Sequence, residues 1–315
     1  MLRILPVLAC LALLAVTACK QTAQQVSATV KSYAEGVSTA GRATGEELGL
    51  LKPRTFDYVR RAWNAHEEPA ALGGTYTFEQ ERELGRALAA EFQGRLGRHE
   101  NERLERYLAL VAAALAAHSE RPDLPVAVSI LRSESVACYA APGGFVLVTF
   151  GALRLCRSES ELAGLFAQAV AYSASRRALA DLEALQAELD PAGGGDLNRL
   201  DANEFSNLLE QAANRLVARG YDYQRLVACD RQAVDLLVRL GYEPGGLKAF
   251  LARQQVQIQE RSGGRPAPGL DVFKGREEAI DARLAQLAAP SIGRNLVQRF
   301  RQECQARLPA PVFSP

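Results

Sequence analysis

The sequence predicts an α+β fold, mostly α-helical, with a small β-sheet near the middle of the chain. Three observations carry this expectation. Apolar residues recur at three- and four-residue spacing through 78–118, the period of a helix buried along one face. Two short runs rich in β-branched and aromatic residues, 126–130 and 145–150, flank the turn signal Pro142-Gly143-Gly144. From Ser158 onward the chain reads as helices separated by Gly- and Pro-bearing loops.

The elements follow in order. Met1–Ala18 holds one basic residue, Arg3, then an apolar run from Ile4 to Val16 broken by Pro6, then Thr17 and Ala18. A charged start, an apolar stretch and small residues before a cut site are the layout of a secretory signal. The run is too short to span a bilayer, which takes about 20 residues. Val16-Thr17-Ala18-Cys19 resembles the lipobox of bacterial lipoproteins, in which the signal is cut before the cysteine and the cysteine is acylated. That resemblance implies a membrane anchor at Cys19 and a periplasmic location. Lys20, in place of the Asp that retains enteric lipoproteins in the inner membrane, points to the outer membrane.

Residues 19–74 read as a tether. Val26, Val30, Tyr33 and Val37 have helical spacing, but the Ser, Thr and Gly among them weaken the helix. The domain occupies 75–315. Its first helix runs over Phe78–Phe92, with Leu84, Leu88 and Phe92 on one face, and its second over Glu102–His118, with Leu104, Leu108, Val111 and Leu115. Val126, Val128 and Ile130 alternate as in a strand, and Phe145–Phe150 makes another. Ser158 opens a long helix with Glu161 at the capping-box position. A Gly-rich loop follows at Asp190–Asp196. Helices are then expected over 202–219, 223–240, 244–259, 274–288 and 292–306.

Composition narrows the function. The chain has 37 basic and 36 acidic residues, and losing Arg3 with the signal leaves them equal. A neutral mature chain argues against a nucleic-acid partner, which calls for a basic face. Beyond Cys10 and Cys19, four cysteines remain: Cys138, Cys156, Cys229 and Cys304. In an oxidising compartment these lead us to expect at least one disulfide, of unspecified pairing. No C-x-x-C motif suggests a redox or zinc-ribbon site, and no G-x-S-x-G or P-loop suggests another chemistry.

Four landmarks stand in order along the domain: Phe78-Glu79-Gln80-Glu81-Arg82-Glu83-Leu84-Gly85, Ala140–Gly151 around Pro142-Gly143-Gly144, Ser158-Glu159-Ser160-Glu161-Leu162-Ala163, and Gly241-Tyr242-Glu243-Pro244. The series resembles metallopeptidase family 48 over residues 76–290, which implies a zincin-like metallopeptidase domain. In that family the helix after the Pro-Gly-Gly strand carries H-E-x-x-H. Its two histidines bind Zn²⁺ from one helix face and its Glu is the general base. A Glu from a later E-x-x-x-D helix completes the ligand set. Here Gln168 and Tyr172 stand at the histidine positions, Ala169 replaces the base, and Leu226 replaces the ligand Glu, while Asp230 matches the motif's Asp.

A neutral carboxamide is a poor zinc ligand, a phenol with an ordinary pKa of about 10 is little better at neutral pH, leucine cannot coordinate, and alanine takes no proton. Tyr172 and Leu226 are instead expected to fill the old cavity. Among the histidines, His66 and His99 are each followed by Glu, but Ala70 and Arg103 stand where a second histidine is required. Both are expected to be solvated surface residues. His118 should sit at a helix end, where a cation suits the dipole.

The resemblance therefore implies a non-catalytic protease-like lipoprotein without a zinc cofactor. It would bind periplasmic or outer-membrane polypeptides or assist their assembly. Its peptide-binding edge is expected along Pro142, Gly143, Gly144, Phe145, Val146, Leu147 and Val148, by strand addition. An active zinc endopeptidase in envelope protein quality control and a purely structural lipoprotein are the alternatives.

Overall fold

The computed structural model describes residues 76–262, 270–288 and 292–310, all within the unit Glu46–Pro315. The signal, Cys19, the tether and His66 lie outside the described residues. Helix α1 (Phe78–Leu96) opens on a full capping box. Thr77 Oγ1 accepts the Gln80 N–H at 3.1 Å, and Gln80 Oε1 accepts the Thr77 N–H at 2.8 Å. A two-residue strand, β1 (Arg98–His99), precedes α2 (Glu102–Ala116), which Asn101 caps. Both helices bury the stripes read from the sequence. His118 lies just past α2 with its Nδ1 2.9 Å from the Ala114 carbonyl, against the helix end as expected.

Strands β2 (Ala127–Leu131), β3 (Cys138–Ala141) and β4 (Phe145–Thr149) complete a four-stranded mixed sheet in the order β1-β2-β4-β3. β2 runs parallel to β4, and β3 runs antiparallel to it. The Pro142-Gly143-Gly144 turn joins β3 to β4, with Gly143 at φ 68° and Gly144 at φ 90°, a backbone that residues with a Cβ adopt only under strain. Helices α3 (Phe150–Leu155), α4 (Glu159–Ala174), α5 (Arg177–Leu189), α6 (Ala202–Arg219), α7 (Tyr223–Leu240), α8 (Gly246–Arg261), α9 (Leu270–Gln286) and α10 (Val297–Glu303) follow. This is an α+β architecture, mostly helical.

The sheet separates two apolar clusters. Val146 and Val148 face one, built with α2, α4 and α7, while Phe145 and Leu147 face the other, built with α1, α5 and α6. Each residue of β4 is buried. α4, whose Leu162, Phe166 and Val170 are fully buried, lies against α2, α7 and α8.

Four expectations need correction. The first concerns the edge. β4 is paired on both sides, Val148 with Ile130 and with Cys138, so Phe145–Val148 offers no free backbone row. Pro142, Gly143 and Gly144 are buried in the turn. The edge strand of the sheet near this turn is β3, and it is itself largely buried. Second, the long helix from Ser158 ends at Ala174. Arg176 takes a left-handed conformation (φ 56°), and α5 starts after it.

Third, all four domain cysteines are free. They sit on or beside β3, α3, α7 and α10 and pack as small apolar groups. Burial pushes the Cys229 and Cys304 thiols up to about 12. Fourth, His99 is half-buried rather than solvated. It pairs with Ile130 in the sheet and lies edge-on to Phe150, ring centroids 4.9 Å apart. Desolvation, then the nearby Arg132, lowers its pKa.

Candidate functional site

The landmarks of the sequence meet in space through buried carboxylates. Glu81, fully buried on α1, accepts the Gly143 N–H at 3.1 Å and pairs with Arg121 at 2.9 Å and Arg176 at 3.3 Å. Arg82 donates to the Gly143 carbonyl at 2.7 Å and to the Pro125 carbonyl at 2.8 Å. A Cβ at Gly85 would come 1.8 Å from the Pro142 carbonyl oxygen, so only glycine lets α1 approach the turn this closely. From the other side, Ser173 of α4 donates to the Ala141 carbonyl (3.1 Å) and accepts the Gly144 N–H (2.9 Å). The turn is thus bolted to both α1 and α4.

The N-terminus of α4 is held as firmly. Ser158 caps it by accepting the Glu161 N–H at 3.3 Å, while Glu161 reaches back to the Arg157 N–H at 2.8 Å. Fully buried Glu159 accepts hydrogen bonds from Tyr107 (2.9 Å), Tyr242 (2.7 Å) and Arg299. The Asn295 carbonyl accepts the Glu159 and Ser160 N–H groups at 3.1 and 3.3 Å, using donors that a helix start leaves unpaired.

Between these fixed ends, Gln168 and Tyr172 sit one turn apart on the same side of α4. Gln168 Nε2 donates to Asp230 Oδ1 on α7 at 2.5 Å. Asp230 is fully buried and also receives a two-pronged contact from Arg276 on α9, Nε to Oδ2 at 2.7 Å and Nη2 to Oδ1 at 2.9 Å. Tyr172, almost wholly buried, donates to Asp181 Oδ2 on α5 at 2.5 Å, and Arg225 pairs with the same carboxylate. Burial pushes the Tyr172 hydroxyl far above the usual phenol range, and its hydrogen bond to Asp181 adds to this. Burial likewise raises Asp181, against the opposing pull of Tyr172 and Arg225. The Tyr172 ring contacts the Tyr221 ring with centroids 4.4 Å apart. Ala169 is buried in the main cluster, and Leu226 is half-buried one turn before Asp230.

These residues do not fit a zinc ion. Both Asp230 oxygens are taken by Arg276 and Gln168, the Gln168 carboxamide presents its N–H₂, and the phenol at 172 is a donor to Asp181. Among the described residues, no group of three or more His, Cys, Asp or Glu could hold a metal. Nor does the arrangement activate a nucleophile. Ser173 is committed to the turn, and Cys229 is a buried thiol beside Arg177 at 3.4 Å. What it can do is clamp. Two carboxylate–guanidinium pairs, each completed by a side chain from α4, fasten that helix to α5, α7 and α9.

The structure brings together Gln168 and Asp230, two positions that the resemblance singled out. Arg276, Asp181, Arg225 and Tyr221 were not foreseen. Each is an ordinary residue in an ordinary helix or linker, and only the tertiary approach gives it a partner. Among the described residues, no helix is long and apolar enough to cross a membrane. No family model and no curated protein matches this chain.

Proposed function

We propose that this is a non-catalytic, zincin-like lipoprotein of the metallopeptidase family 48 type, which holds extended polypeptides at the cell envelope. One observation carries the reading. The helix that follows the Pro-Gly-Gly hairpin meets the later helix through Gln168 and Asp230, at the positions where the resemblance calls for a histidine ligand and its supporting Asp. Two helices meet there, and the chemistry between them is that of a hydrogen-bonded ion pair. The sheet has an edge strand beside this site, covered by neighbouring elements so that Tyr139, Ala140 and Ala141 are buried, and a binding role rests on extended chains pairing with such an edge once it is uncovered. The edge in question is β3 rather than β4.

The test uses the purified mature chain. It should carry no stoichiometric zinc, leave casein uncut, keep its melting temperature in the presence of a chelator, and still bind an unfolded polypeptide. Metal that binds only the folded state would raise stability with the logarithm of its free concentration over its Kd, so an unmoved melt is informative. One zinc per chain with chelator-sensitive proteolysis would overturn the reading in favour of an active endopeptidase. The anchor is tested separately. Cys19→Ala should abolish fatty-acid labelling and release the protein from membranes, because acyl chains contribute about 0.8 kcal/mol per buried methylene. Labelling that persists in the variant rules out Cys19 as the lipid site.

A further inference from the structure

We propose that Tyr221 is a built-in competitor for the β3 edge: its hydroxyl holds both outward backbone groups of Ala140, and an extended polypeptide pairs there only when the linker between α6 and α7 swings Tyr221 away. This rests on the polypeptide-holding reading above and adds its regulation.

The geometry is direct. The Ala140 N–H donates to the Tyr221 hydroxyl at 2.6 Å, and that hydroxyl donates to the Ala140 carbonyl at 3.2 Å. Ala140 stands opposite Val146 in the antiparallel pair. Alternate residues of such a pair turn their backbone groups away from the partner strand. A polypeptide adding to β3 would use the same N–H and C=O that Tyr221 occupies. Binding and the tyrosine contact therefore exclude one another.

The segment carrying Tyr221 is short and bounded. α6 ends at Arg219, Gly220 takes φ 71° with no atom within 4 Å of where its Cβ would sit, and Asp222 caps α7 by accepting the Arg225 N–H at 3.0 Å. The half-buried Tyr221 ring touches both apolar clusters and lies against Tyr172. Tyr172 is held by Asp181, and Asp181 by Arg225 in the first turn of α7. Position 172, where the resemblance calls for a metal ligand, is here the backing of a latch on the strand.

The apparent affinity of a site that is open only part of the time falls by the open fraction. Removing the hydroxyl should raise that fraction, and a net hydrogen-bond contribution of the usual size makes binding about three- to tenfold tighter. The probe is fluorescently labelled, reduced and carboxymethylated α-lactalbumin, which stays unfolded, titrated into the full mature chain and read by anisotropy. Tyr221→Phe should bind it more tightly than wild type. The Ala140 amide should exchange its hydrogen faster in the variant, while Tyr139 and Ala141, whose amides face β4, should not change. Adding Ala140→Pro to Tyr221→Phe should erase the gain by removing the outward N–H. Equal binding by wild type and Tyr221→Phe overturns the latch and leaves the holding role standing. No binding by either overturns both. Unchanged exchange at Ala140 overturns the contact itself.

Discussion

Asp230→Ala is expected to destabilise the fold by about 3–5 kcal/mol, because it strands a buried guanidinium. Arg276 is 7% exposed and its head group has Asp230 as its counterion. Gln168 loses its acceptor in the same step. The double variant Asp230→Leu, Arg276→Met should recover most of the loss or exceed wild type, since a buried ion pair replaced by apolar groups of similar volume is often neutral or stabilising. Wild type, Asp230→Leu, Arg276→Met and the double variant form a cycle that, compared by urea unfolding, gives the coupling energy directly. A single-variant loss below about 1 kcal/mol would show that water reaches Arg276, and the clamp would then be a surface pair of little worth. A strong coupling would give Asp230 a structural role in fastening α7 to α9.

Much of this fold could be read from local chemistry. α6 and α7 have the expected bounds because Asp201 and Asp222 cap their starts and Gly220 and Gly241 close their ends. Both signals lie within a few residues of the boundary. The break between α4 and α5 carries no such signal. Arg176 is an ordinary residue forced into left-handed backbone, and the contact it makes with Glu81 is 95 positions away in the chain. The edge assignment failed for a related reason. Phe145–Thr149 is apolar at nearly every position, the pattern of a strand covered on both faces and paired on both sides. A strand serving as an exposed edge more often carries charge or proline. Position in the sheet depends on which strands pair across the chain, and the landmarks spoke only to order along it.

The candidate site divides in the same way. The i, i+4 spacing of Gln168 and Tyr172 puts them on one helix face, and Asp230 of α7 meets Gln168 there. Their partners were invisible. Tyr172 was expected to stack, but its ring lies tilted at 47° against Tyr221, and its hydroxyl is a buried donor that needed an acceptor, which α5 supplied as Asp181. Cysteine arithmetic misled because the count of four suits two bridges, whereas three of the thiols are wholly buried among apolar side chains where they pack without pairing.

Glu159→Ala should cost as much as Asp230→Ala, and for a reason that separates the two landmarks it joins. Glu159 lies at the first turn of α4 with no solvent exposure, yet it serves three donors from three parts of the chain: Tyr107 on α2, Tyr242 after α7 and Arg299 on α10. Burial, followed by the nearby carboxylate, pushes both phenols far above their usual range, so each stays a donor at any ordinary pH. Removing the acceptor leaves two buried hydroxyls unpaired at about 1–3 kcal/mol each, plus a cavity where the side chain stood. Arg299 is half-exposed and can turn to water, so its share is small. Glu159→Gln keeps one acceptor oxygen and should lose less. Tyr107→Phe combined with Glu159→Ala should lose less than the two separate effects added together, because the phenol removed is one the alanine had already stranded. Thermal and urea unfolding of these variants measure the ordering. If Gln and Ala are equally damaging, the charge rather than the acceptor geometry sets the cost, and Arg299 matters more than its exposure suggests.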